Sequence, residues 1–302
     1  MTGVRMPADG EHVLHLAART PGLPRIGPRS AVALVLVSLV GLAGFGWPFL
    51  ADASSPVAHG QDAPWLFAAL TLLVLGVLLS ALLDGTADAK AVALLGVLSA
   101  VGAALRPLGA GTAGLEPMFV VFLLGGRVMG PAFGFALGST AMFASALLTA
   151  GIGPWLPFQM LAASWVGLGA GLLPRKVGGR WEIALLVGYA LVGGVFYGVV
   201  MNLWFWPAGL VDQAAATAYH PHAGAAANLR HYLTFYLTTS LGWDVPRGVL
   251  NALLVLLAGP RLLTALRSAT DRAAFGAPIR VLRPREDGSP AARTGSGAPE
   301  HT

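Results

Sequence analysis

The sequence predicts an all-α fold, a polytopic membrane helix bundle, and three observations lead there. Of the 302 residues, 55% are hydrophobic and only 11% are charged, against about a quarter charged in a soluble domain. Apolar runs such as AVALVLVSLVGLAGFGWPFL (31–50) and WLFAALTLLVLGVLLSALL (65–83) carry no charge. Roughly 20 such residues, at 1.5 Å of helical rise each, match the hydrocarbon core of a bilayer. Glycine is abundant, 40 of 302, and recurs at four-residue spacing, which lets helices approach closely in lipid.

Taken in order, residues 1–29 hold Arg5, Arg19, Arg25 and Arg29 but no apolar core of signal-peptide length, and read as a disordered cytosolic leader. Segments 31–50 and 65–83 form an N-terminal transmembrane pair within 30–89. Ala51-Asp52-Ala53 resembles a cleavage site, yet the preceding span is longer than a signal core, so an uncleaved anchor is expected. Further spans are expected at 90–107, 116–128, 130–150, 155–174, 182–206 and 243–266. The 116–128 span is short, closed by Gly125-Gly126-Arg127 before Pro131 opens the next. LRHYLTFYLTTS (229–240) is either a surface-lying helix or the start of a kinked last span, since 229–266 is too long for one straight crossing. Residues 269–302, rich in Pro, Gly, Ser and charge, read as a disordered cytosolic tail.

Threaded through these spans, the Lys and Arg residues separate. The leader, Lys90, Arg127, the Arg175-Lys176-Arg180 loop and the tail from Arg261 fall on one side; Arg106, Arg230 and Arg247 fall on the other. Cytoplasmic loops collect Lys and Arg, which places both termini in the cytosol of an inner (plasma) membrane protein. The same distribution explains the pI near 10.1 without nucleic acid, because the basic residues cap helices rather than form a patch.

Several chemistries are excluded by pattern. No G-x-x-x-x-G-K-[ST] loop occurs, so ATP hydrolysis would have to reside on a partner. No G-x-S-x-G turn and no pair of intramembrane aspartates is present, and the chain does not read as an enzyme. Without cysteine there is no disulfide or thiolate site. His220, His222 and His231 lack helical ligand spacing and read as part of a solvated loop, so neither a metal nor a cofactor is expected.

Small-residue stripes occur at Gly130, Gly134 and Gly138, at Gly167 and Gly171, and at Gly194 and Gly198. Each suits packing within one bundle or docking of another membrane subunit. The docking alternative is most attractive for Gly96, Ala100 and Ala104 on the third span.

Polar residues gather at one membrane level. In GWDVPRGVLNALL (242–254), Arg247 lies at i+3 from Asp244 and Asn251 at i+4 from Arg247, on one helical face. With the last helix expected to start near Asp244, its carboxylate would cap orphan N–H groups, and Pro246 would sit harmlessly in the first turn. The trio is then either a capped helix with a local ion pair or the polar wall of an outward-opening ligand cavity. Arg106 and Glu116, the Trp155, Phe158 and Gln159 of PWLPFQM, and the Asn202 and Trp206 of YGVVMNLWFWP fall at the same level. Aromatic residues there form an interfacial belt or a cavity for a flat, ring-bearing small molecule.

From Lys90 the chain resembles the substrate-binding S component of energy-coupling factor (ECF) vitamin transporters, most strongly an actinobacterial-type subgroup. The residues that carry this are, in order, Ala100-x-x-x-Ala104, the loop GAGTAGLEP, LLGGRVMGPAFGFALG, PWLPFQM, YGVVMNLWFWP and GWDVPRGVLNALL. The resemblance implies a six-helix S-component-like core at 90–268, with the first two spans as an addition. It also implies a vitamin receptor, embedded in the lipid bilayer, that joins a membrane T component and two cytosolic ATPase subunits and topples to release its ligand. Loops near 106–116 and 151–159 would cover the cavity; Asn202, Asp244, Arg247 and Asn251 would line it. The face around Ala100 and Ala104 would meet the T component. The subgroup and the aromatic rim point to cobalamin or a related corrinoid, then to a thiamine-type pyrimidine precursor. Nickel and cobalt members begin Met-His, whereas this chain begins Met1-Thr2. The competing functions are a stand-alone secondary transporter, which would need protonatable groups near the midplane, and a non-transporting scaffold.

Overall fold

The computed structural model describes residues 28–50, 63–86, 89–109, 114–208 and 217–273. These residues form helices joined by short turns, with no strand among them. The helices are α1 (Pro28–Leu50), α2 (Ala63–Thr86), α3 (Ala89–Leu105), α4 (Phe119–Met129), α5 (Pro131–Leu148), α6 (Leu156–Leu172), α7 (Arg180–Phe205), α8 (Ala225–Phe235) and α9 (Leu241–Ala273). Five helical stretches are long and apolar enough to cross a membrane: Ser30–Leu50, Ala91–Gly109, Pro131–Leu148, Arg180–Phe205 and Ala225–Asp271. The fold is thus a polytopic helical bundle. The expected leader up to residue 27, the tail from residue 274 and the Ala51-Asp52-Ala53 sequence lie outside the described residues.

Exposed Leu36, Leu73, Val97 and Leu257 face outward on four different helices. In water such surfaces would demand a partner; in hydrocarbon they are already solvated. Polar backbone, by contrast, must be satisfied internally.

The bundle is held where side chains are smallest. A Cβ on Gly134 would lie 2.2 Å from the Gly167 carbonyl oxygen, and one on Gly167 would lie 2.1 Å from that of Gly134. Helices α5 and α6 therefore meet backbone to backbone along these glycines, the intramolecular alternative for those stripes.

Helix α4 is the central element. Its 11 residues are buried except for Arg127, and at 1.5 Å each they rise only about 16 Å. The chain entering it, 114–118, consequently descends into the bundle as irregular backbone. Such backbone is tolerated at membrane depth only where protein surrounds and satisfies it.

The expected start of the last span near Asp244 is not observed. Helix α8 passes through one π turn, Tyr236–Ser240, directly into α9, and the run Ala225–Asp271 is helical over 47 residues. Asp244 therefore sits inside a helix, with no free N–H groups to cap. The π turn absorbs the change of register, the Leu241 N–H reaching the Tyr236 carbonyl. Segment 229–240 is thus the first part of a long final helix, and His231 lies on that helix rather than in a loop.

The N-terminal pair is packed into the bundle. Trp165 of α6 donates its indole N–H to Ser38 Oγ of α1 at 3.0 Å. Phe45 stands edge-on to Phe158, with ring centroids 5.1 Å apart. Gly41 lies over Leu161, where a Cβ would be 2.1 Å from a methyl group.

Candidate binding site

Helix α9 approaches α7 closely, Gly248 against Gly194, and this brings Asp244, Arg247 and Asn251 inside. All three are buried, at 3%, 8% and 1% exposure. Arg247 Nε donates to Glu116 Oε2 at 2.5 Å, Nη1 donates to Asp244 Oδ1, and its guanidinium carbon stands 5.0 Å from the Tyr197 ring centroid. Phe119 flanks it on another side at 5.8 Å. Taking three charges out of water costs several kcal/mol per ion, offset only where each finds close partners. Here Arg247 finds two carboxylates and aromatic faces.

Asn251 has a second duty. Its Nδ2 donates at 2.9 Å to the Glu116 carbonyl, in the descending loop, and at 2.9 Å to the Arg247 carbonyl. The loop that the short α4 forces into the membrane is therefore pinned to α9 by this amide. Opposite, the Asp244 carboxylate lies on Gly198, where any Cβ would fall 1.7 Å from an oxygen. Asn202 links α7 to the π turn: Nδ2 donates to the Gly198 carbonyl at 2.8 Å, and Oδ1 accepts from Ser240 Oγ at 3.0 Å.

Arg106, in the turn after α3, faces α5 and α6. It donates to Ser145 Oγ at 3.4 Å and to Gln159 Oε1 at 3.3 Å, both long for a charged donor. Tyr197 stands between the two groups, in electrostatic reach of Glu116, Arg106, Arg247 and Asp244. Asn251 Oδ1 and Trp204 Nε1 are buried without a hydrogen-bond partner, and the Tyr236 hydroxyl approaches the Asp244 carboxylate. Buried polar atoms are nearly always paired, so two unpaired ones beside the ion cluster mark this end of the bundle as a candidate site.

The other sequence-stated residues divide. Phe158 is buried at 1% exposure between Phe45 and Trp204. Trp206, also at 1%, belongs to an aromatic cluster with Phe49, Tyr219 and Tyr232, its indole donating to the Thr217 carbonyl at 2.6 Å. Burial pushes the Tyr219 phenol above its ordinary value. Trp155 is exposed and folds onto its own turn, donating to the Gly151 carbonyl. Gly96, Ala100 and Ala104 lie exposed on α3, with nothing within 4 Å of a Cβ on Gly96. Tyr197 and Phe119, which enclose Arg247, were not anticipated; Tyr197 opens the YGVVMNLWFWP segment and shares a face with Trp204 at i+7.

The opposite end carries a second buried ion cluster. Glu182 Oε1 accepts from Arg127 Nε and Arg267 Nη2, each at 2.6 Å. Arg127 also donates to the carbonyls of Leu173, Pro174 and Val177, satisfying the chain that leaves α6. Arg127, Glu182 and Arg267 thereby tie α4, α7 and α9 together, so that end is a clasp.

Of the known protein families, ECF transporter, substrate-specific component, matches residues 90–259. No curated protein and no solved structure matches the chain.

Proposed function

The chain belongs to the ECF transporter substrate-specific component family, a transport subunit and not an enzyme, and on that premise we propose that it is the vitamin receptor of an ATP-driven importer. The observation that carries this is the largely buried Glu116–Arg247–Asp244 cluster with the unpaired Asn251 Oδ1 beside it. A cluster of that kind gains nothing from stability alone, because well-packed apolar residues would serve as well. In this reading it meets the ligand at the end from which the short α4 recedes.

In this reading the Arg247 end opens outward, both termini are cytosolic, and residues 90–268 are the receptor core with 30–89 as an addition. The exposed Gly96, Ala100 and Ala104 of α3 receive the membrane T component, and two cytosolic ATPase subunits supply the energy. The actinobacterial-type resemblance and the aromatic rim favour cobalamin or another corrinoid, followed by a thiamine-type pyrimidine precursor.

The test is a thermal-shift screen of the detergent-solubilised protein against single vitamins, since a ligand that binds only the folded state raises its melting temperature by mass action. Cobalamin is expected to give the largest shift. A null result across the panel, together with uptake by this chain alone, would favour a secondary transporter instead. Copurification from its own membranes is expected to yield a T component and ATPases.

A further inference from the structure

The two guanidinium groups of the site are not equivalent. Arg247 faces two carboxylates, Glu116 and Asp244, so its neighbourhood carries a net negative charge. The unpaired Asn251 Oδ1 beside it is an acceptor as well. Across Tyr197, Arg106 has no carboxylate partner among the described residues and only two long bonds to neutral groups, Ser145 and Gln159. A guanidinium offers five donors in a planar fork shaped for two oxygens of one anion. Half-buried at membrane depth, it is incompletely served by a hydroxyl and an amide.

Resting on the receptor reading above, we propose that the substrate carries an anionic oxygen group, a carboxylate or a phosphodiester, which docks on Arg106 beside Gln159. The carboxylates of Glu116 and Asp244 repel such a group, and Asn251 Oδ1 is the acceptor left for a substrate's N–H or O–H donor. The charge pattern fixes the direction in which the substrate lies, anionic end toward α3 and donor end toward α9.

The experiment measures affinity by calorimetry for three matched pairs of probes: cobalamin and cobinamide, which lacks the phosphodiester; biotin and biotinamide; pantothenate and panthenol. Wild type, Arg106→Gln and Arg106→Lys are compared, with melting temperature as the check on folding. One anionic probe is expected to bind, its neutral counterpart at least tenfold more weakly. Arg106→Gln is expected to weaken the anionic probe roughly ten- to a hundredfold, the range for losing a charge-assisted bond, and to leave the neutral one unchanged. Arg106→Lys keeps the charge and retains part of the affinity. Loss of cobalamin affinity but not of cobinamide affinity in Arg106→Gln assigns the phosphodiester, since cobinamide lacks the ribose and base as well; the same pattern in the other pairs assigns a carboxylate. Equal binding of both members of a pair, or full affinity in Arg106→Gln, overturns the proposal and leaves the receptor reading standing. Tight binding of thiamine, a cation, to an unaffected Arg106→Gln variant does the same. Absence of binding by every probe, while an uncharged or cationic vitamin raises the melting temperature in the wider screen, overturns the proposal alone; a null in that screen as well overturns both.

Discussion

At the scale of single residues, the ion cluster sets an order of severity. In Asp244→Ala, Arg247 keeps Glu116 as its partner. In Arg247→Ala, the buried Asp244 and the partly buried Glu116 lose the one cation that pairs with them among the described residues, a loss on the order of 3–5 kcal/mol for a broken buried pair. The melting temperature in detergent should fall clearly more for Arg247→Ala than for Asp244→Ala; the reverse order would show that Asp244 is the anchor. Gly198→Ala should be nearly as harmful to ligand affinity as Asp244→Ala while leaving membrane insertion intact, because its methyl group would occupy the space of the Asp244 carboxylate. Titration of that variant with the vitamin found in the screen checks this. The face shared by Asp244, Arg247 and Asn251 was legible in the sequence, since helical spacing alone defines it. The bond from Arg247 to Glu116 was not. It joins residues 131 apart, and only the shortness of α4 lowers Glu116 to that depth.

At the scale of elements, glycines of identical appearance separate by what lies over them. Gly134→Leu and Gly167→Leu would drive a side chain into a facing carbonyl, and little folded protein should survive size-exclusion chromatography. Gly96→Leu meets open space, so the fold should persist; if α3 receives the T component, copurification of that subunit should be lost. Spacing of four residues could not distinguish these cases, because it reports a small-residue face and not its neighbour. The end of the bundle misread from sequence has a similar cause. Asp244 followed by Pro246 is the ordinary signature of a helix start, but the aromatic packing of Tyr232 in α8 and Tyr236 in the π turn carries the helix through it. Local capping chemistry yielded to tertiary packing.

At the scale of the molecule, the bundle, its apolar spans and the gathering of polar groups at one level were legible, because hydrocarbon imposes simple rules on composition and length. What composition could not reveal is how firmly the first two helices are attached. Ser38→Ala should cost about 1 kcal/mol, the usual net value of one hydrogen bond, by leaving the Trp165 indole unpaired in an apolar wall, and a lowered melting temperature would register it. Helix α1 also places Phe49 against Trp206 and Tyr232, beyond the region that the family covers. A fragment trimmed to the familial boundaries would consequently offer lipid an orphaned indole and a trench once filled by phenyl rings. What resembles a dispensable preface in the amino-acid sequence serves the folded protein as a retaining wall.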